Sequence, residues 1–556
     1  MSTPDAVVIG AGPNGLVGAN VLADAGWDVL VLEAQDEPGG AVKSAEVAAP
    51  GFVSDLYSSF YPLGVGSPVI RELHLEDFGL RWRHAPQVLA HPLLDGRTAV
   101  LSRDVEQTAA SVEQFGKGDG DAWRELFQEW RELSPYLVET LMTPFPPVRS
   151  AAGLLRRLGP ARALRFARFA TLSVRRFSLE RFEGDGAGLL LAGNAMHTDL
   201  AAEAPGSAVF GWLLAMLGQD VGFPVPEGGA GELARAMVDR LQAKGGRVEC
   251  GRRVTRVEVQ GARAVAVVTE DGQRVPVRRA VLADVPAPTL YRHLLGPELL
   301  PPRLLADLEA FDWDDATVKV DWALSGRVPW TNPEVHGAGT VHVVGGVDDV
   351  ATFGHQLTSG YVPAEPFLLF GQMTTADPTR SPAGTESAWA YTHVPVEPRG
   401  DAAGVLTGDL QDPKEQEVFL DRVERRVEQF APGFRDLVVG RHVAFPHDLQ
   451  RGDESLVGGA LNAGTSGLHQ QLLFRPTPGL GRPETHVEGL FLASASAHPG
   501  GGVHGACGAN AARAALRART TGRLALLATR ALVGGDRAAS VVPAARSGAT
   551  SPRSGA

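Results

Sequence analysis

Cysteine is scarce in this chain. Cys250 and Cys507 are the only two among 556 residues, and no Cys-x-x-Cys occurs. That excludes a redox-active disulfide and fits a reducing, cytoplasmic setting with both thiols free. No His/Cys spacing typical of a metal centre is present, so no metal is expected. Long hydrophobic runs are missing too. A spanning helix needs ~20 apolar residues, and the apolar stretch 208–217 is too short and reads as core. The first strand starts almost at Met1, which leaves no room for a signal peptide. The formal net charge of −12 excludes a general nucleic-acid binder. Aromatic residues make up only 7%, and no pair stands out as a cage for an amine. A glycine fingerprint in strand–helix context occurs once, so no separate nicotinamide-nucleotide domain is expected.

What is present is an ordinary globular mix, 44% hydrophobic and 21% charged. The chain is long enough for two domains. The most informative stretch comes first. Residues 6–9 read as a buried strand, followed by Gly10-Ala11-Gly12-Pro13-Asn14-Gly15, a helix-like pattern to Ala25, an apolar run at 29–32, and Glu33. This is the dinucleotide-binding fingerprint in its required context. Gly10 permits the tight turn, Gly12 the approach of a pyrophosphate, and Gly15 the packing of helix on strand. The helix N-terminus favours phosphates, and Glu33 can accept hydrogen bonds from a ribose.

Three further blocks carry a resemblance. Asp36-Glu37-Pro38-Gly39-Gly40 follows the acid closely. Pro224-Val225-Pro226-Glu227-Gly228-Gly229 precedes a helical stretch, an apolar run from Val254 to Val259, and Ala280-Val281-Leu282-Ala283-Asp284. Near the end, a strand-like Gly489-Leu490-Phe491-Leu492-Ala493 runs into Ser494-Ala495-Ser496-Ala497-His498-Pro499-Gly500-Gly501-Gly502-Val503-His504-Gly505-Ala506-Cys507-Gly508-Ala509-Asn510. Together these resemble the phytoene desaturase and amine oxidase flavoprotein superfamily. The last block, with Arg475-Pro476-Thr477-Pro478-Gly479, looks most like the branch related to pyridine nucleotide-disulfide oxidoreductase domain-containing protein 2. The resemblance extends to about residue 533. One departure is Ser494-Ala495-Ser496, where phytoene desaturases usually carry glycine.

The resemblance implies an α/β fold: a discontinuous Rossmann-like FAD-binding domain with an inserted mixed α+β substrate domain. The flavin segments are expected at 1–65, 220–295 and 480–533, the inserts at 66–219 and 296–479, and a disordered Ala/Ser/Gly/Arg-rich tail at 534–556. It implies FAD as cofactor, held by Gly10, Gly12, Gly15, Glu33, Gly39, Gly40, Val254, Gly500, Gly501, Gly502 and Val503. The helix after Gly505 would aim its N-terminus at the charge that gathers on reduced flavin. It further implies dehydrogenation of an apolar, isoprenoid or polyene-like molecule, with oxygen or a quinone as acceptor. The alternatives are a flavin amine oxidase and a flavin-binding interaction protein without turnover.

Three side chains are catalytic candidates. Lys319, in Thr317-Val318-Lys319-Val320-Asp321, shares a strand face with Thr317 and Asp321. It resembles the strand lysine that assists oxygen in amine oxidases, and it reads equally as a rim lysine paired with Asp321. His498 and His504 flank the glycine turn, either as proton carriers or as structural histidines. Tyr57 and Tyr61 are candidate cavity residues or core. Finally, 149–181 holds nine arginines and one acid, Glu180. A helix over 161–177 would be basic and amphipathic, suited either to an anionic membrane surface, here the inner membrane face, or to solvent.

Overall fold

The computed structural model describes residues 3–518; the tail expected at 534–556 lies outside the described residues. In the first block, β1 (Ala6–Ile9) leads through the glycine turn into α1 (Pro13–Asp24) and β2 (Val29–Leu32). The next segment supplies β3 (Gln87–Pro92), β4 (Thr98–Leu101) and a helical layer whose main members are α2 (Asp119–Met142), α3 (Val148–Phe169), α4 (Val174–Arg181), α5 (Gly186–Ala195) and α6 (Ser207–Val221). The chain then returns with α7 (Gly231–Ala243), β5 (Arg247–Glu249), β6 (Val254–Gln260), β7 (Arg263–Thr269) and β8 (Ala280–Ala283). It leaves again for β9 (Ala316–Leu324), β10 (Ala338–Val343), β11 (Leu368–Gln372), β12 (Glu386–Val394), α8 (Pro413–Phe430) and β13 (Val438–Ala444). The closing pair is β14 (Leu490–Leu492) and α9 (Ala506–Arg517).

Two large sheets organise most of these elements, and β6 and β7 pair antiparallel in a third. The first is parallel, in the order β14-β8-β1-β2-β5. Its strands come from three distant stretches of chain, as the glycine blocks imply. β14, β8, β1 and β2 are short, apolar and buried, as in a sheet covered on both faces, and β5 at the edge is half-buried. Val8, Val31 and Leu282 pack under α1, α7 and α9, while Val7, Leu30 and Val281 face the β6–β7 layer. The second sheet is mixed, in the order β13-β9-β12-β11-β10-β3-β4, with β3 and β10 parallel and the other neighbours antiparallel. One face carries Trp322, Phe370 and Val320 against α8. The other carries Trp389 and Leu369 towards α2, α5 and α6. The fold is α/β, as expected.

The arginine-rich stretch departs from expectation. A single helix over 161–177 does not form. α3 kinks at Gly159 and ends at Phe169, and Ser173 opens α4 by accepting a hydrogen bond from the Arg176 N–H at 3.2 Å. A serine competing for the backbone is the local cause. The apolar side is also engaged: Phe166, Phe169 and Phe177 cluster with one another and with Trp212. Arg168 and Arg176 converge on Glu180 at 2.7 Å, and Arg175 meets Asp348 at 2.7 Å. Among the described residues no helix is long and apolar enough to cross a membrane.

Candidate active site

The loops at the carboxyl ends of β1 and β8 open into one large cavity, at the crevice where doubly wound sheets bind ligands. Its nucleotide end is made of backbone. Gly10 adopts φ +92°, a conformation side chains resist, and its Cα faces the Asp284 carbonyl. A Cβ on Gly12 would lie 2.8 Å from Asp284 Oδ2, and one on Gly15 would collide with the Gly10 carbonyl. No side chain caps α1. Glu33 is buried at the end of β2 and accepts from the Ala11 N–H at 2.6 Å and the Gln35 N–H at 2.9 Å. The Gly39 N–H donates to the Ala11 carbonyl at 2.9 Å. A Cβ on Gly40 would stand 3.0 Å from Gly12 Cα, so the double glycine loop is pressed onto the first turn. Gly10, Gly12, Glu33, Gly40 and Val254 line the cavity; Gly15 and Gly39 stand behind that wall.

The C-terminal glycine turn forms the middle of the wall. Gly501, Gly502, Val503, His498 and His504 line it, and Gly500 lies behind, against Arg475. From sequence Arg475 reads only as part of a motif, yet it organises this turn. Its buried guanidinium donates to the carbonyls of Ala495, Thr465, Asn462 and Gly464 at 2.8–3.2 Å. Burial pulls its pKa down, with no carboxylate in contact. Ser496 Oγ donates to the Ala463 carbonyl and accepts from the Ala287 N–H, so this departure from glycine is a structural pin. Ser494 remains in the cavity wall.

The two histidines differ. His504 accepts the Ala506 N–H on Nδ1 and lies 3.2 Å from the Gly500 carbonyl through Nε2, so both nitrogens are engaged. The first N–H of α9 is therefore taken by His504 rather than open to a ligand. His498 Nε2 donates to the Thr143 carbonyl at 3.1 Å, and its buried Nδ1 has no partner. Burial pulls both pKa values to about 4, so both rings are neutral at pH 7. Lys319 lies outside the cavity wall. It pairs with Asp321, but both groups are buried, not at a rim. Its Nζ is 5.8 Å from the ring centre of Trp389, which does line the cavity. Tyr57 and Tyr61 line it as well. Burial, with Asp453 nearby, pushes the Tyr57 hydroxyl up to about 12.

Two acids here were not singled out from sequence. Asp284 accepts from the Gly15 N–H at 2.6 Å, and burial pushes its pKa up to about 8. Asp453, also raised by burial, borders Gly40. A carboxyl kept protonated beside α1 spares a bound phosphate from like-charge repulsion. The usable signal for Asp284 was its place, the first residue past a buried strand, as Glu33 is.

Beyond the glycine turn the cavity widens, to about 970 Å³ in all, and its wall becomes apolar with Leu141, Phe166, Leu213 and Leu214. Phe145, Val148, Leu472 and Phe474 form the mouth, with Val148, Leu472 and Phe474 partly exposed. The glycine cradle that a Cβ would fill, the uncapped α1 terminus, Glu33 and the adjoining chamber together fit FAD. Among the described residues no cluster suits a metal.

Comparisons with known proteins agree. Residues 14–516 match the family described as flavin containing amine oxidoreductase. The chain is 27% identical over 560 residues to pyridine nucleotide-disulfide oxidoreductase domain-containing protein 2 of Rattus norvegicus, covering 92% of this chain and 93% of that one. It is 25% identical over 520 residues to the lycopene-forming phytoene desaturase of Pseudescherichia vulneris, covering 92% and 98%. Among solved structures, an oxidoreductase from Methanosarcina mazei aligns with TM-score 0.58 at 17% identity, covering 92% and 99%.

Proposed function

We propose that this chain, which belongs to the flavin-containing amine oxidoreductase family and is an FAD-dependent oxidoreductase, dehydrogenates an elongated apolar molecule of isoprenoid or polyene type. The single observation carrying this is the cavity itself. One continuous space joins the nucleotide cradle to a chamber walled by Leu141, Phe166, Leu213 and Leu214. The chemistry that FAD supplies when bound is acceptance of hydride from a substrate C–H bond. The protein's part is to hold the nucleotide on backbone, align an apolar chain past the Gly501–Gly502 turn, and keep water out. Oxygen or a quinone serves as acceptor.

The amine oxidase alternative gains nothing from the chamber. Trp389 and Tyr391 are stacked, with ring centres 5.8 Å apart and planes 13° apart, which leaves no slot between them for an amine. The mouth supports a peripheral membrane position on the cytoplasmic side. Val148 and Leu155 are exposed beside it. Arg149, Arg156 and Arg165 are exposed and have no carboxylate partner among the described residues, unlike their neighbours. Such a surface suits anionic lipid.

The test is anaerobic. The purified holoprotein is mixed with vesicle-borne polyene hydrocarbons and with an amine panel, and the flavin absorbance is followed. Bleaching by polyenes alone supports the proposal, and bleaching by amines alone overturns it. Admitting air to the reduced protein then separates oxygen from a quinone as acceptor. Co-sedimentation with anionic vesicles that vanishes in Arg149→Glu/Arg156→Glu supports the membrane position; unchanged co-sedimentation sinks it.

A further inference from the structure

Within the apolar chamber one corner is polar, and its hydrogen-bonding capacity is incomplete. α5 is buried along its whole length. Asn194 lies near its end, 1% exposed and in the cavity wall. Its Nδ2 donates to the Leu190 carbonyl at 2.8 Å, while its Oδ1 has no partner. A buried acceptor left unpaired is costly, so its persistence on a residue of the cavity wall calls for a partner.

His197 lines the cavity one turn further on. Its Nε2 lies 3.1 Å from His342 Nε2. His342 is fully buried behind it, and its ring occupies the space where Gly193 lacks a side chain. Behind that, His91 packs edge-on at 5.9 Å and donates from Nε2 to the Gly345 carbonyl at 3.0 Å. Only one proton fits between His197 and His342. If His197 supplied it, His342 would carry a buried N–H on Nδ1 without an acceptor; Nδ1 has no partner. Orphaned N–H groups are rarer than orphaned acceptors. The cheaper arrangement is therefore His342 donating to His197, which leaves the His197 proton on Nδ1 with no protein partner. Burial lowers the pKa of every histidine in this chain of rings, so they stay neutral.

Tyr391 completes the corner from β12. It lines the cavity, and its hydroxyl makes no hydrogen bond among the described residues. His393, two residues on, is 3.3 Å from the Met196 carbonyl through Nε2, which holds β12 against the end of α5. Phe223, 6.0 Å from the His197 ring, and Trp389 are its apolar neighbours.

The corner thus presents an acceptor, a donor and a hydroxyl, all uncharged. A hydrocarbon end would leave all three unpaired. A carboxylate would meet the Asn194 oxygen, and an ammonium would meet the His197 N–H. We propose that Asn194, His197 and Tyr391 form a specificity site for a neutral hydroxyl, so that the preferred substrate is an apolar alcohol rather than a pure hydrocarbon. This rests on the reading of the chamber as an apolar-substrate site.

The test uses holoprotein and the flavin absorbance shift on titration with geranylgeraniol and with the hydrocarbon of the same skeleton. The alcohol should bind at least tenfold more tightly. Asn194→Leu, close in volume, should erase that preference by weakening the alcohol while leaving the hydrocarbon unchanged. Tyr391→Phe, which removes one oxygen and keeps the ring, should reduce it severalfold and serves if Asn194→Leu fails to fold. Equal binding of the two probes to the wild type overturns this site and leaves the chamber reading intact. So does a Tyr391→Phe protein that discriminates as well as the wild type. Absence of any shift with either probe overturns both readings together.

Discussion

The two ends of the cavity recognise their occupants by different means. At the nucleotide end the surface is mostly backbone, and much of it is matched internally, with Glu33 holding two N–H groups, Asp284 holding Gly15 and Gly39 holding Ala11, while the uncapped start of α1 and Asn14 Oδ1 stay unpaired. Clearances there leave no room for even one methyl group. At the chamber end the surface is side chains from α2, α3, α5 and α6, and Asn194 Oδ1 and the buried His342 Nδ1 remain unpaired. The first end is built for one ligand shape. The second can change ligand by exchanging side chains while the cradle stays as it is.

The largest effect should follow from a single methyl at the cradle. Gly15→Ala drives a Cβ into the Gly10 carbonyl, and that backbone cannot move aside without opening the cradle, so flavin binding should be lost altogether. The purified protein should be colourless, by its visible spectrum. A yellow Gly15→Ala protein would show that the cradle tolerates a methyl group after all.

Lys319→Met comes next. It would leave Asp321 as a buried carboxylate without its partner, for about 3–5 kcal/mol of stability. Urea denaturation should show that loss, and Lys319→Met/Asp321→Leu should restore most of it. If instead stability is unchanged and only reoxidation of the reduced flavin slows, Lys319 acts on oxygen and belongs with the site.

Asp284 gives a pH signature. Its carboxyl is raised to about 8 in the folded protein, against about 3.9 unfolded. Between those values the folded state holds the proton and the unfolded state does not. Stability from this group is therefore full at low pH, falls as pH rises through that window, and levels off above about 8. The melting temperature of the flavin-free protein should drop relative to Asp284→Asn between pH 5 and pH 9. A constant difference between the two proteins would contradict the assignment.

The smallest expected effect is in the chamber. Leu213→Trp should raise KM for the apolar substrate about tenfold, roughly 1.4 kcal/mol, and leave flavin content unchanged. Loss of flavin in this variant would show that the two ends are not separable.

Legibility followed the same division. That Gly10, Gly12, Gly15, Glu33 and the Gly39-Gly40 pair meet at one turn was readable because their spacing along the chain sets it. The parallel sheet was readable in the runs 6–9, 29–32 and 280–283. The helix expected over 161–177 was misread because hydrophobic period alone does not reveal a serine that starts a new helix, nor a phenylalanine face already covered by Trp212. Arg475 was visible as a residue but not as a role, since its four carbonyl partners lie in two separate loops. Asn194 and His197 carried no signal, because a polar residue in an apolar helix looks the same whether or not its partners are present.

By itself the sequence determined the α/β class, the family and its flavin cofactor, because short-range backbone geometry demands particular residues at particular spacings. Tertiary structure alone decided which side chains wall the chamber, which histidines keep a free nitrogen, and that Lys319 lies behind Trp389. Those depend on which distant segments meet, and burial changes the chemistry of a side chain only once they have met.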